Sequence, residues 1–402
     1  MRLLLNELKK LLNPRLAAIL LLFSIAYTFL FLNFRLTQGT SERNIRLYGE
    51  LRSEFGAELS LDEWDAFSAK RDGVLERINE QIRASEIMRK NGIEDYEAFI
   101  HTPPIVFTPD MSEADMEFEQ ERSRIYHDRA SQLIGNLLEM DILILAKENH
   151  WVLADESEYD EARAENGRIP NDTPYKNDAV AERYRRTSTR GVSLMPAAVL
   201  RALDEDLLWL FILAAILCFV LILPRLIGEH LRGMREIQLA SKTGRGIFPL
   251  QAGTCAVFGL CVGMLLIAVY GAILWRCGAL RFIACDINTY DTRLRFWTDM
   301  SFGGYLLIHA AAVLLFSVCA SLFAYFIGRL SGNYITGLAL ALPVAAALVW
   351  GFLMLCQSPL NLFGAPTLAA AVIKSCGALL ILAVIVIAVL IMLKRDKARD
   401  IL

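Results

Sequence analysis

The chain has no motif that marks an ATP-hydrolysing core. A phosphate-binding loop needs glycine amides around the phosphates and a lysine after them, and G-x-x-x-x-G-K-[ST] occurs nowhere in the 402 residues. H-E-x-x-H is missing as well, and the five histidines, His101, His127, His150, His230 and His309, are scattered, which removes the usual zinc-protease arrangement. No serine elbow of G-x-S-x-G type is present. Cysteine is confined to positions 218–376, so the long segment 35–205 has none and its stability must rest on a packed core instead of disulfides. Cys277 and Cys285 are expected to be unpaired thiols, and no cysteine or histidine spacing of metal-ligand type occurs. These absences give no candidate catalytic or metal-ligating residues and point away from an enzyme.

Charge is scarce in six long runs. With 55% hydrophobic residues and a mean hydropathy of +0.39, the composition is that of a membrane protein. A hydrocarbon layer of ~30 Å takes ~20 residues to cross at helical rise. Runs of that length lie at 15–34, 206–225, 252–275, 302–328, 335–356 and 368–393. Backbone groups in lipid must bond within their own segment, so the expected fold class is an all-α membrane protein with six transmembrane helices. The first run is too long for a signal peptide and has no small-x-small cleavage site before Arg35, so it is read as a retained anchor.

The net charge of −3 conceals a division. Residues 36–205 hold 21 Lys and Arg against 35 Asp and Glu, whereas the rest of the chain holds 20 basic and 9 acidic residues. Basic residues flank the inner ends of spanning helices. Arg2, Lys9, Lys10 and Arg15, with Lys394, Arg395, Lys397 and Arg399, put both termini in the cytoplasm. Residues 35–205 then form an extracellular domain, 226–251 a cytoplasmic elbow and 252–402 the last four spans with a basic tail. Residues 1–14, with leucines set against Glu7, Lys9 and Lys10, read as an amphipathic helix lying on the inner face before Pro14.

The outer segment is rich in helix signals and poor in strand alternation. Ser60 and Glu63 form a capping box ahead of Trp64, Phe67, Val74, Leu75, Ile78, Ile82 and Ile87 at helical spacing, with Asn91-Gly92 as the stop. A second helix is expected from Ser112 to about His150. Asp155–Gly167 is strongly acidic, Pro170–Pro174 reads as a turn, and Asn171 heads a glycosylation-type triplet. Ser193 with Pro196 marks a helix start that feeds into the second span.

Residues 228–246, GEHLRGMREIQLASKTGRG, follow the second run almost at once. Arginines after a span hold that side in the cytoplasm. The pattern holds more than charge: a helical extension, some apolar residues in Ile237 and Leu239, and an end marked by Ser241, Thr243, Gly244 and Gly246. Such an elbow is suited to gripping by a partner protein. Within the apolar runs Lys374 is the one clear ionisable residue, read either as snorkelling to the surface or as facing a transport path. His309 is expected to be a hydrogen-bonded packing residue, and Pro343 to free a backbone carbonyl.

At this point the sequence resembles the permease subunits of bacterial type-2 ATP-binding-cassette exporters. The resembling positions are Glu229, Gly233 four residues on, and the small-residue turn Ser241, Thr243, Gly244, Arg245; Gln251 stands near a place where a lysine is frequent in that family. The amphipathic start, six spans and a large outer segment between the first two extend the resemblance. It implies that Glu229, Arg232, Gly233, Arg235, Ser241, Thr243, Gly244 and Arg245 couple to a separate cassette ATPase, which would hold ATP and Mg²⁺. It further implies a second identical or related permease subunit, residence in a bacterial cytoplasmic membrane among its lipids, and no nucleic-acid partner. Peptides, lipids or drugs are the expected cargo classes, and the acidic outer segment suits a cationic peptide. A membrane receptor with an outer helical ligand-binding domain is the competing reading.

Overall fold

The computed structural model describes residues 14–33, 39–103, 105, 111–127, 132–152, 191–240, 246–287, 300–356 and 368–398. The chain divides into two units, Met1–Gln38 with Ala198–Ala284 and Leu294–Leu402, and Gly39–Ala197 with Cys285–Arg293.

The first unit is built of long apolar helices. Helix α1, Pro14–Tyr27, continues as a π-helical turn over Thr28–Asn33 and is the shorter of the apolar helices. Among the described residues, five helices are long and apolar enough to cross a membrane, spanning Ala198–Leu231, Ile247–Arg276, Phe302–Leu330, Tyr334–Cys356 and Val372–Asp396. The predicted amphipathic helix 1–14 lies outside the described residues except for Pro14.

The predicted second span is longer than its apolar run, because helix extends in both directions beyond the run 206–225. Ahead of it come the helices of the other unit, described next, so that this helix is α8, Ala197–Leu231, 35 residues in one piece. At 1.5 Å per residue that is about 52 Å, well beyond a ~30 Å hydrocarbon layer. Its most apolar stretch is 67% buried, against 17% and 22% for the last two spans, so α8 lies at the centre and those two face outward. Phe211 of α8 stacks on Phe316 at 4.5 Å, and Phe352 meets Phe316 edge-on at 5.3 Å.

In the second unit, α2 is Gly39–Phe55, α3 Trp64–Ala84, α4 Glu86–Lys90, α5 Tyr96–His101, α6 Glu113–Tyr126 and α7 Leu133–Val152. The packed core predicted in place of disulfides is present, with Tyr48, Phe67, Ile78, Phe99, Leu137 and Met140 fully enclosed. Glu139 of α7 accepts a 2.6 Å hydrogen bond from Asn44 of α2, and Arg71 of α3 donates to Asp141 of α7 at 2.9 Å.

Four sequence expectations differ here. The capping box at Ser60 exists, yet it opens a 3₁₀ turn, Leu61–Glu63, before α3 begins. α3 stops at Ala84 because Ser85, in extended geometry, turns its hydroxyl to the Met88 amide and caps α4 instead; Asn91 then ends α4. The single helix expected from Ser112 to His150 is two helices, since α6 ends at His127 and Gln132 takes a φ of 51°. Strand pairing was not expected, but β1, Glu58–Leu59, pairs antiparallel with β2, Val192–Ser193; Ser193 therefore belongs to a strand, and α8 starts directly after Pro196. The acidic stretch, the Pro170–Pro174 turn and Asn171 lie outside the described residues.

The remaining elements of the first unit are α9, Met234–Ala240, α10, Ile247–Arg276, α11, Phe302–Leu330, α12, Tyr334–Cys356, with Pro343 inside it, and α13, Leu368–Ala398. α10 and α11 approach most closely where Gly259 and Gly263 face Ser317, Ser321 and Leu314. None of the eight cysteines is joined in a disulfide, Cys277 and Cys285 included; burial pushes the Cys285 thiol up to about 11.

Candidate functional site

The elbow is a distinct structural element. α8 ends at Leu231, Gly233 reverses the chain with a φ of 69°, and α9 follows at once. A left-handed φ is open to glycine at no steric cost. Around this turn Leu231, Met234 and Ile237 are 55%, 45% and 66% exposed, and Arg232 is exposed beside them. The result is an apolar knuckle with Arg232 beside it. Arg235 lies on the backbone of α9, and Ser241, Thr243, Gly244 and Arg245 fall outside the described residues.

Glu229, expected to couple to an ATPase, has bonding partners within the chain. Its carboxylate accepts from Arg225 Nε at 3.2 Å and from Gln251 Nε2 at 3.2 Å. It is half-buried and braces α8 against the start of α10, where Gln251 stands in the position noted for its departure from lysine.

The same end of the bundle holds a pair that sequence reasoning missed. Arg329 and Asp396, each with a side chain 4% exposed, meet at 2.6 Å, and the Arg329 guanidinium lies 3.9 Å from the centre of the Phe248 ring. Tyr325 donates to the Phe248 carbonyl at 3.0 Å. These contacts tie α10, α11 and α13 together. In the sequence Arg329 and Asp396 sit just outside apolar runs, among residues that read only as topological charge.

At the opposite end of α8 a second buried polar cluster forms. The Tyr305 hydroxyl donates to Asp204 Oδ1 at 2.5 Å, His309 Nε2 lies 3.6 Å from the same oxygen, and His309 Nδ1 is 3.0 Å from the Tyr305 carbonyl. Tyr270 donates to Asp206 Oδ2 at 2.8 Å. Asp204 and Asp206 differ by about 200° around the helix at 3.6 residues per turn, which is why one faces α11 and the other α10. His309 is hydrogen-bonded and buried, as expected. Asp204 and Asp206 escaped notice because both fall at the edge of an apolar run, where a carboxylate reads as exposed. Lys374, the one intramembrane ionisable residue singled out, is half-buried on α13 and interacts with Cys356 at the end of α12.

The two clusters bracket an apolar layer. Asp204 and Glu229 are 25 positions apart on α8, about 38 Å, and His309 and Arg329 are 20 apart on α11, about 30 Å. The second separation matches the ~30 Å hydrocarbon core, and the first reaches into the headgroup layers. Among the described residues no group of three or more His, Cys, Asp or Glu forms a metal-binding set. A scan against protein-family models and searches of the curated proteins and of the solved structures found no match to this chain.

Proposed function

We infer that the chain is the membrane-spanning permease subunit of an ATP-driven exporter, in which a separate cassette ATPase binds ATP and Mg²⁺ and a second permease subunit completes the transport path. The observation that carries this reading is the knuckle at Leu231, Met234 and Ile237. A helix that runs through the apolar layer continues past it and then exposes large apolar side chains on a short, glycine-hinged helix. Apolar groups presented in this way mark a docking point, and Arg232 beside them supplies a charge-assisted contact.

In this arrangement the first apolar helix, α1, acts as the sixth span, both termini are cytoplasmic, and the unit Gly39–Ala197 is extracellular. Closure of the ATPases pushes on α9, and the continuous α8 carries the displacement across the membrane. Glu229 serves as the brace that makes α8 and α10 move as one body, while Ile237, Met234 and Arg232 make the contact. The cargo belongs to the peptide, lipid or drug classes, with the acidic outer segment favouring cationic molecules.

The test is the ATPase activity that accompanies the tagged chain through purification in mild detergent. Ile237→Glu places a charge in the centre of the contact and is expected to cost about 2 kcal/mol, roughly thirtyfold in affinity. Co-purified ATP hydrolysis should fall accordingly. Unchanged ATPase recovery with Ile237→Glu would remove the elbow from the mechanism.

A further inference from the structure

Helix α10 ends in a mixed apolar and basic surface. Its last two residues are Trp275, 75% exposed, and Arg276, exposed as well. Gly278 then takes a φ of 81° and leads into a 3₁₀ turn over Ala279–Phe282. Ala279 and Phe282 are fully enclosed and anchor the turn, whereas Arg281 and Ile283 stay exposed. The Ile283 carbonyl accepts from the Gly303 amide at 2.9 Å, which ties the end of the turn to the start of α11.

The helix itself sets the depth of this surface. α10 begins at Ile247, where the elbow ends, and its 30 residues rise about 45 Å. Trp275 therefore lies on the membrane face opposite the elbow, beyond a ~30 Å hydrocarbon layer and among headgroups. An exposed tryptophan at that level is an interfacial anchor. Arginine is less usual there. With the elbow in the cytoplasm, as proposed above, this is the side where basic residues are ordinarily sparse, yet residues 276–301 hold four arginines against three aspartates. Among the described residues, neither Arg276 nor Arg281 makes an ion pair or a side-chain hydrogen bond.

We propose that Arg276 and Arg281, with Trp275 and Ile283 beside them, form a binding site for an anionic phospholipid of the leaflet in which α10 ends. The guanidinium groups take the headgroup phosphate, whose oxygens match their paired N–H donors. Trp275 and Ile283 lie against the upper acyl chain. Arg281 is drawn back over the turn: a Cβ on Gly278 would stand 3.3 Å from its Nε and 3.5 Å from its guanidinium carbon. Its charge is thereby carried toward the end of α10, where Arg276 is. A free phosphate would meet the same two arginines but gain nothing from the exposed apolar pair, so the ligand is lipid. Binding makes and breaks no covalent bond.

A bound headgroup holds more than the end of one helix. Through the bond from Gly303 to Ile283 the turn is shared with α11, so the lipid fixes the ends of two spans at one level in the membrane. The site requires only that α10 crosses the membrane, and it stands whether or not the elbow grips an ATPase.

The test uses the full chain in lipid nanodiscs that carry a trace of photoreactive phosphatidylglycerol or, in a parallel sample, photoreactive phosphatidylcholine. Peptide mass spectrometry then counts the lipid adducts on the segment from Trp275 to Ile283. The wild type is expected to capture phosphatidylglycerol there well in excess of phosphatidylcholine. Arg276→Gln with Arg281→Gln should lower that excess by up to roughly fivefold for each arginine removed. Inorganic phosphate should displace no more phosphatidylglycerol than chloride of equal ionic strength does. If the double variant does not fold, Arg276→Gln and Arg281→Gln singly read the same site. Equal capture of the two lipids by the wild type, an excess indifferent to both glutamine substitutions, or selective displacement by inorganic phosphate overturns the proposal.

Discussion

Removing one member of the Arg329–Asp396 pair strands a charge. Both side chains are 4% exposed and their closest atoms are 2.6 Å apart, so Asp396→Ala leaves a guanidinium without its anion at the edge of an apolar layer. Breaking a buried pair in this way costs about 3–5 kcal/mol. Two features of the site pull the figure toward the lower end. The Phe248 ring, 3.9 Å from the guanidinium carbon, remains and contributes up to about 2 kcal/mol when desolvated. Arg329 is also the next-to-last residue of α11, near enough to the helix end for its long stem to carry the charge toward headgroups. The expected loss is therefore about 3 kcal/mol, read from reversible unfolding of the purified chain. Replacing both partners, Arg329→Met with Asp396→Leu, removes both desolvation costs and should return stability to within about 1 kcal/mol of wild type. An Asp396→Ala variant as stable as wild type would show that the charges were not buried together. A double variant no better than the single would show that packing, not stranded charge, sets the loss.

Three further outcomes follow from local geometry. A Cβ at Gly259 would lie 2.5 Å from the Ser317 carbonyl, so Gly259→Ala should separate α10 from α11 and lower unfolding stability by about 1–3 kcal/mol, whereas Gly253→Ala, open on that side, should leave it unchanged. At the elbow, Gly233→Ala forces a side chain into a φ of 69° at about 1–2 kcal/mol; co-purified ATPase should drop while Gly233→Asn keeps most of it. In the other unit, the Ser60 hydroxyl and amide both donate to the Glu63 carboxylate and hold its pKa below the usual carboxylate range. A lowered folded pKa gives stability that is complete above the unfolded value of about 4.3 and is lost as pH falls through the folded one. Ser60→Ala should move the Glu63 titration upward toward its ordinary range, measured by NMR of the side-chain carboxyl.

Features set by short-range chemistry were legible in the sequence, and those set by distant partners were not. The apolar runs from residue 252 onward show as long helices because length and composition alone decide them. Ser60 and Glu63 were readable as a capping box, since it depends on a residue three positions away, and Ser112 as a helix start. Ser85 hid inside a regular apolar stripe, and its capping of Met88 could be seen only with α4 in view. The β1–β2 pair joins residues more than 130 positions apart, with two residues on each side, too short for any alternation to appear.

The polar clusters were missed for a related reason. Asp204, Asp206, Arg329 and Asp396 all lie at or near the ends of apolar runs, where a charge is ordinarily solvated or marks topology. What encloses them is aromatic side chains from other helices: Tyr305 and Tyr270 at one end, Phe248 at the other. Lys374 drew notice because it stands alone within its run. The bond between Glu229 and Gln251 was not legible, since Gln251 comes from the next helix.

The central claim is that α9 is where another protein grips this chain. It is tested most directly by placing a photoreactive benzophenone side chain at position 237, irradiating native membranes, and identifying the captured product by mass spectrometry. Ile237 is 66% exposed, so the substitution leaves the fold intact. The account predicts a covalent adduct with a cassette-type ATPase, weakened when Gly233→Ala is added. Capture of lipid alone, with no ATPase adduct, would contradict it.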